Sequence, residues 1–305
     1  MSEKILVFTK NWFGDVVMQT PVLRILKENF PGSRLTVALP VNTSEILANN
    51  PFVDEVIPLE GAWHNFSFRY FTRAYVLHRS RTQAFLTWIA GIPVRVGYAT
   101  KGREIFLTQA IPEPRESLHQ TDYFVHLLKA SGLKTPSESF SEFYFSEEAA
   151  RRAEQFVPEN RGVIALNPGA NWEPKRWPEE YFAEFADQLS ESNHYSFIIT
   201  GAGKDIPLAE KIVNTCKKAK PVSLCGKTTM DELGAVFSRC DCVITGDSGP
   251  MHIASSVGAR VIALFGPTDS RSTAPRGKGK TRILSESTMQ AIRPEQVVKA
   301  VETRD

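Results

Sequence analysis

The sequence predicts an α/β protein of two Rossmann-like domains, each a parallel sheet with helices between its strands. Three observations carry that expectation. The 305 residues exceed the ~100–200 of a single domain, and a hydrophobic content of 42% can fill two cores. Short apolar runs alternate with helical patterns through both halves, which predicts parallel strands joined by right-handed crossovers. The composition changes near residues 145–161, where a charged stretch leads through Pro158 to the apolar run Val163–Asn167. We therefore expect domains 1–157 and 158–305 facing across a cleft, with the last helix packing back on the amino-terminal domain.

The elements follow in order. Ile5–Thr9 reads as a strand, and a loop to Asp15 leads into a helix from Val16 to Phe30, stopped by Pro31-Gly32. Pro21 inside that helix removes a backbone hydrogen bond and is expected to distort it. Leu35–Leu39 is the next strand, Asn42–Asn49 looks helical, and Glu55–Pro58 is a short third strand. Strands at Tyr75–His78 and Val94–Gly97 flank a helix at Thr82–Ala90, and helices follow at Thr121–Ser131 and Glu147–Phe156. The second half places strands at Val163–Leu166, Phe197–Thr200, Val222–Ser223, Cys242–Thr245 and Val261–Phe265. Its helices fall at Pro178–Ser190, Pro207–Lys217, Thr229–Ser238, Pro250–Val257 and Arg293–Thr303.

Composition narrows the function classes. A net charge of +2 argues against general nucleic-acid binding, which needs a strongly basic footprint. The start runs from Met1-Ser2-Glu3-Lys4 directly into a strand, without a signal peptide's apolar region. No apolar run reaches the ~18 residues of a membrane span. Cys216, Cys225, Cys240 and Cys242 form no Cys-x-x-Cys pair and have no nearby histidines at metal-ligand spacing, so buried, reduced thiols in a cytoplasmic protein are expected. His64, His78, His119, His126 and His194 share no spacing and are assigned no role. Between residues 61 and 110, Arg69, Arg73, Arg79, Arg81, Arg95, Lys101 and Arg103 are opposed only by Glu104, with Trp63, Phe66, Phe68, Tyr70, Phe71 and Tyr75 interleaved. A run of charge is usually a solvated face, but this excess suggests an anionic acceptor or membrane headgroups.

The most informative stretch is Val243-Ile244-Thr245-Gly246-Asp247-Ser248-Gly249-Pro250-Met251-His252. It reads as a buried strand, a tight turn carrying an acid and a hydroxyl, and a helix with Pro250 at its first position. Ser248 or Gly249 is the expected cap, and the unpaired N–H groups of the first turn favour an anion. Asp247 suits vicinal hydroxyls better than a phosphate. Phosphate donor beside hydroxyl acceptor suggests a nucleotide-sugar site; the bland alternative is that Asp247 and Ser248 only cap a helix. Asn167-Pro168-Gly169-Ala170-Asn171-Trp172-Glu173-Pro174-Lys175-Arg176-Trp177-Pro178 follows another strand, and Lys175 could neutralise a departing diphosphate. Phe13-Gly14-Asp15 opens the first helix, where Asp15 is either a cap or a general base in a cleft. Thr200-Gly201-Ala202-Gly203-Lys204-Asp205 lacks the third glycine of a dinucleotide fingerprint and the hydroxyl residue of a P-loop, so it reads as a turn.

Together these segments resemble the heptosyltransferase family of lipopolysaccharide synthesis, glycosyltransferases of the GT-B type. The matching stretches are Gly14-Asp15-Val16-Val17 with Thr20-Pro21-Val22-Leu23, Asn167-Pro168-Gly169-Ala170 with Lys175-Arg176-Trp177-Pro178, Thr245–His252, and Ala263-Leu264-Phe265-Gly266-Pro267-Thr268-Asp269. The likeness runs through nearly the whole chain and is weakest over residues 61–150. It implies inverting transfer of heptose from ADP-heptose to the lipopolysaccharide inner core, without metal or cofactor. By the same likeness Asp15 is the catalytic base and Lys175 the donor-phosphate lysine. Asp247 would hold heptose hydroxyls, while Asn171, Ser248, Gly249 and His252 line the phosphates. Lys227, Thr228 and Met230 fall at the adenine pocket. Arg69, Arg73, Arg79 and Arg103 are candidate acceptor contacts, on a lipid A-linked core approached from the cytoplasmic membrane face.

The chain departs from the family pattern in places. Thr9 and Lys10 stand where a basic residue often comes early in the first loop, Trp12 fills a usually small position, and Arg282–Met289 is short where second-heptose enzymes carry a cysteine-rich loop. These departures bear on the acceptor more than on the donor. The competing readings are a glycosyltransferase using another nucleotide sugar or surface glycan, a non-catalytic nucleotide-sugar binder on the same fold, and, more distantly, a nicotinamide oxidoreductase.

Overall fold

In the computed structural model, which describes residues 2–60, 70–157, 162–190 and 194–303, the chain divides into two compact units, Met1–Ser141 and Glu142–Asp305. The helix Glu147–Phe156, grouped with the amino-terminal half by the sequence reading, falls in the second unit against the helix Met230–Ser238. Ser146 explains this attachment. Its hydroxyl accepts the Ala149 N–H at 3.1 Å as an N-cap and donates to Asp231 at 2.6 Å.

The first unit has six strands: β1 Lys4–Phe8, β2 Arg34–Leu39, β3 Glu55–Pro58, β4 Arg73–Val76, β5 Val94–Tyr98 and β6 Gln109–Ile111. All pair in parallel, in the order β3-β2-β1-β4-β5-β6. Ile5 to Phe8 are buried without alternation, as expected of a parallel strand covered on both faces. The first helix, Phe13–Asn29, begins three residues earlier than expected and continues through Pro21. The sequence supplies the remedy locally. Pro21 has no N–H for the Val17 carbonyl, and the Thr20 hydroxyl donates to that oxygen instead, at 2.7 Å. Gly32, with φ +75, turns the chain after this helix. The expected helix at Asn42–Asn49 is a 3-10 turn, Val41–Leu47, in which the Thr43 and Ser44 hydroxyls bond back to the carbonyls of Pro40 and Val41.

The second unit repeats the plan with β7 Gly162–Asn167, β8 Tyr195–Ile199, β9 Val222–Ser223, β10 Cys242–Gly246, β11 Val261–Phe265 and β12 Thr281–Ser285. Their order, β12-β11-β10-β7-β8-β9, is that of the first sheet counted from its own first strand. β6 and β12 are short or half-exposed edge strands without a strong apolar run, which is why the sequence pattern passed over them. The core gathers Ile164, Leu166, Phe182, Phe185, Ile244 and Leu264 around Trp177, whose indole N–H donates to the Ile292 carbonyl at 2.8 Å. The closing helix Pro294–Glu302, the element expected to pack back on the amino-terminal half, places Val297, Ala300 and Val301 in this second core. All four cysteines are free and three are buried; burial raises the Cys242 thiol to about 12.

In each sheet the strand order reverses beside the first strand, between β1 and β4 and between β7 and β10. Loops leaving the carboxyl ends of such a pair diverge, and the crevice between them is where open α/β sheets bind ligands.

Candidate active site

At the first reversal the loop after β1 carries Lys10, and the helix behind it carries Asp15. The N-cap of this helix is Trp12, with no side-chain cap bond, so Asp15 stands in the first turn rather than at the cap position. Its carboxylate accepts from the Lys10 ammonium at 3.3 Å. Lys10 is held on several sides: Nζ donates to Gln120 at 2.8 Å and lies 5.3 Å from the centre of the Phe124 ring, while its backbone N–H donates to buried Gln19 at 3.2 Å. A partly exposed carboxylate at this position is within reach of an incoming hydroxyl and can accept its proton.

The loop after β4 supplies His78 and Arg79. β4 ends at Val76, two residues earlier than expected, and this frees His78 from the strand. Burial pushes the His78 imidazole below its usual value, helped by Lys10 and Arg103 and opposed by Asp15. Arg79 donates to the Tyr123 hydroxyl at 3.1 Å and pairs with Glu113, and both keep its guanidinium charged. Burial, together with the Glu113 hydrogen bond, raises the Tyr123 phenol to about 12.

The other basic candidates divide. Arg103 is wholly buried; it donates to the Tyr98 carbonyl at 2.7 Å and to the His78 carbonyl, so it braces the β4 loop from beneath. Arg73 opens β4 opposite Ile5, at the amino edge of the sheet, where it pairs with Glu3 at 3.1 Å and covers the Phe30 ring. That edge is opposite to the one bearing Asp15. Arg69 lies outside the described residues.

The second reversal brings together the two motifs that the sequence singled out. Lys175 closes a short 3-10 turn, Glu173–Lys175, in the loop after β7, and its ammonium donates to Asp247 after β10 at 2.6 Å. Gly246 makes this approach possible: a Cβ there would lie 2.6 Å from the Lys175 carbonyl oxygen. Ser248 is the N-cap of the helix Gly249–Ser256, with Gly249 first and Pro250 second, one place later than expected. Its side chain makes no cap bond. Instead the hydroxyl lies 3.1 Å from that of Thr245, which reaches Asn167 at 3.4 Å, and Asn167 in turn donates to the Thr200 carbonyl at 3.1 Å. This chain of polar groups, buried except at half-buried Ser248, ties the ends of β10, β7 and β8 together. His252 lies inside the same helix and is buried.

The remaining candidates form the rim of this edge. Asn171 accepts from Lys204 at 2.6 Å, so the segment read as a plain turn after β8 contributes a cation. Lys204 was passed over because neither glycine fingerprint fitted. The only available signal was a lysine following a strand's carboxyl end. The loop after β9 is bound to its neighbour by the Gly226 N–H donating to the Gly201 carbonyl at 2.9 Å. There Lys227 is exposed and donates to the Ser223 carbonyl, Thr228 is half-buried, and Met230 begins the helix Met230–Ser238. Among the described residues no group of three or more His, Cys, Asp or Glu side chains is placed to hold a metal.

This arrangement has known counterparts. The profile of glycosyltransferase family 9 (heptosyltransferase) matches residues 63–300. Lipopolysaccharide heptosyltransferase 2 of Escherichia coli K12 is 29% identical over 297 residues, covering 89% of this chain and 85% of that one. Lipooligosaccharide heptosyltransferase 2 of Haemophilus influenzae is 29% identical over 300 residues, with the same coverage of 89% and 85%. The crystal structure of a family 9 glycosyl transferase from Veillonella parvula superposes with a TM-score of 0.90 at 25% identity, covering 99% of this chain and 96% of that one. The structure of E. coli ADP-heptose lipopolysaccharide heptosyltransferase II gives 0.84 at 28% identity, with 98% of each chain covered. With twin doubly wound sheets and a profile match across most of its length, the chain belongs to glycosyltransferase family 9, the heptosyltransferases.

Proposed function

We propose that this glycosyltransferase moves heptose from ADP-heptose to the inner core of lipopolysaccharide, inverting the anomeric centre. The observation that carries the reading is the Lys175–Asp247 pair at 2.6 Å beside the start of the helix Gly249–Ser256. It supplies a cation and unpaired N–H groups for a diphosphate, and a carboxylate for sugar hydroxyls. The relatives named for heptose transfer agree with it.

In the proposed reaction the acceptor hydroxyl loses its proton to the Asp15 carboxylate. Its oxygen forms a bond to the anomeric carbon of the donor sugar. The bond from that carbon to the diphosphate oxygen breaks, and ADP departs with the electron pair. Lys175 and the backbone N–H groups at the helix start stabilise the charge that grows on the diphosphate. Asn171 and Lys204 extend the polar rim on the same edge, and Lys227, Thr228 and Met230 are assigned to the adenine. His78, Arg79 and Lys10 face the acceptor side around Asp15. Arg103 and Arg73 are assigned structural rather than acceptor roles.

No helix among the described residues is long and apolar enough to cross a membrane. We place the enzyme in the cytoplasm, meeting its lipid-linked acceptor at the inner face of the cytoplasmic membrane. The test is a turnover assay with ADP-heptose and a lipid A-linked inner-core acceptor, following ADP release and the mass of the glycolipid. We expect product larger by one heptose. Transfer from UDP- or GDP-sugars with ADP-heptose inert would overturn the donor assignment, and nucleotide-sugar binding without turnover on any acceptor would overturn the enzymatic one.

A further inference from the structure

The helix Arg81–Ile89 is packed with its polarity reversed. It buries Gln83, Ala84 and Thr87 against the first unit and leaves Phe85 37%, Trp88 49% and Ile89 57% exposed. Helices that fold onto a core in water do the opposite. The exposed side chains do not stand alone. Phe85 and Trp88 stack at 5.9 Å between ring centres, and both meet Phe106 of the neighbouring 3-10 turn Glu104–Phe106, at 5.2 and 5.8 Å. Ile105 on the same turn is 69% exposed. Two neighbouring elements of the fold thus present one apolar face to solvent, more than scattered surface residues require.

Charge identifies the occupant. From residue 61 to residue 110 the chain carries seven arginines and lysines against one acid, Glu104, which is exposed on the turn itself. Arg81 is exposed on the helix with its guanidinium 5.8 Å from the Phe106 ring centre, and exposed Lys101 stands three residues before the turn Glu104–Phe106. Aromatic rings and branched aliphatics beside exposed cations match the boundary between acyl chains and anionic headgroups. We infer that the face formed by Phe85, Trp88, Ile89 and Ile105 seats this protein on an anionic lipid bilayer. The inference deepens the proposed function, because it names the surface by which the enzyme meets a lipid-borne acceptor.

The full-length protein is mixed with vesicles of phosphatidylcholine alone or with phosphatidylglycerol, and the bound fraction is measured by sedimentation at low and high salt. Wild type should bind the anionic vesicles, less at high salt, and leave the neutral ones largely free. The double variant Phe85→Ser, Trp88→Ser should bind at least about ten-fold more weakly, with transfer to a water-soluble core oligosaccharide unchanged. Ile105→Ser, on a solvent-exposed turn, gives a second variant with a smaller loss should the double variant fail to fold. Equal binding by wild type and variants, or no binding to anionic vesicles, overturns the inference. So does a wild-type dimer that these substitutions convert to monomer, since the face would then bind a second copy. Failure of the proposed function shows separately, as no transfer by wild type to the soluble acceptor while vesicle binding stands.

Discussion

Replacing Lys175 with methionine separates a structural ion pair from a catalytic one. The ammonium lies 2.6 Å from Asp247, with the lysine side chain 25% exposed and the aspartate 9%. A hydrogen bond to a charged partner is worth about 1.5–3 kcal/mol. Solvent at the lysine end screens part of that, so the folding cost of Lys175→Met is about 1–2 kcal/mol. For a unit of this size that corresponds to a fall of about 2–8 °C in the melting temperature. The catalytic effect should be far larger. Removing a preorganised charge from a departing diphosphate costs about 10²–10³ in turnover, and adding Asp247→Asn should restore folding stability while leaving turnover low. The assays are thermal unfolding and steady-state ADP release at 25 °C under saturating donor. A variant that melts a few degrees lower yet turns over at the wild-type rate would refute the reasoning. It would reduce Lys175 to a clasp between two loops.

The remaining predictions are brief. Asp15→Asn should lower turnover by about 10²–10⁴, the usual contribution of a general base, while calorimetric binding of ADP-heptose stays near the wild-type value; wild-type turnover would remove Asp15 from the reaction. Gly277→Ala should be strongly destabilising, because a Cβ there would lie 2.1 Å from the Ser255 carbonyl oxygen. At the upper end of overpacking, about 3 kcal/mol, we expect melting about 6–12 °C lower, and an unchanged melting temperature would contradict the packing described. His78 gives a dependence on pH. Burial holds its folded value below the ordinary 6.5, so the unfolded chain takes up the proton first, and stability falls as pH drops from about 6.5 toward the lowered value. His78→Asn should flatten melting temperature between pH 7 and 5, whereas the carboxylates Asp54 and Asp187, held below 3.8, act only in more acid solution. An equally steep dependence in the variant would assign it to another group.

Much of this site was legible because the ends of buried strands carry strong signals. The runs Ile5–Phe8, Val163–Leu166 and Cys242–Ile244 are apolar throughout, and lysine, amide, glycine and acid residues come soon after them, so both fold and edge could be read together. What escaped depended on distance in space rather than in sequence. Lys10 meets Gln120, which is 110 positions away, and Asn171 meets Lys204 across 33. Neither pairing has a local pattern. Arg73 and Arg103 look alike in a list of charges, yet register with Ile5 sends one to the amino edge and burial beneath the β4 loop hides the other. His78 shares no spacing with the other histidines, and the strand expected to reach it ends at Val76. The reversed helix Arg81–Ile89 defeats a periodicity argument altogether, because the pattern identifies an apolar face without saying which way it turns.

The clasp between Lys175 and Asp247 also bears on what the crevice beside it attracts. With the two charges cancelling at 2.6 Å, little net field reaches solvent from that spot. Inorganic phosphate can claim the ammonium only by stranding a carboxylate that is nine-tenths enclosed, a poor exchange for so small an ion. A molecule carrying phosphate and polyol side by side satisfies both members at once. On the proposed reading, simple anions gain little at this pair, and selectivity begins with which functional groups arrive joined in one ligand.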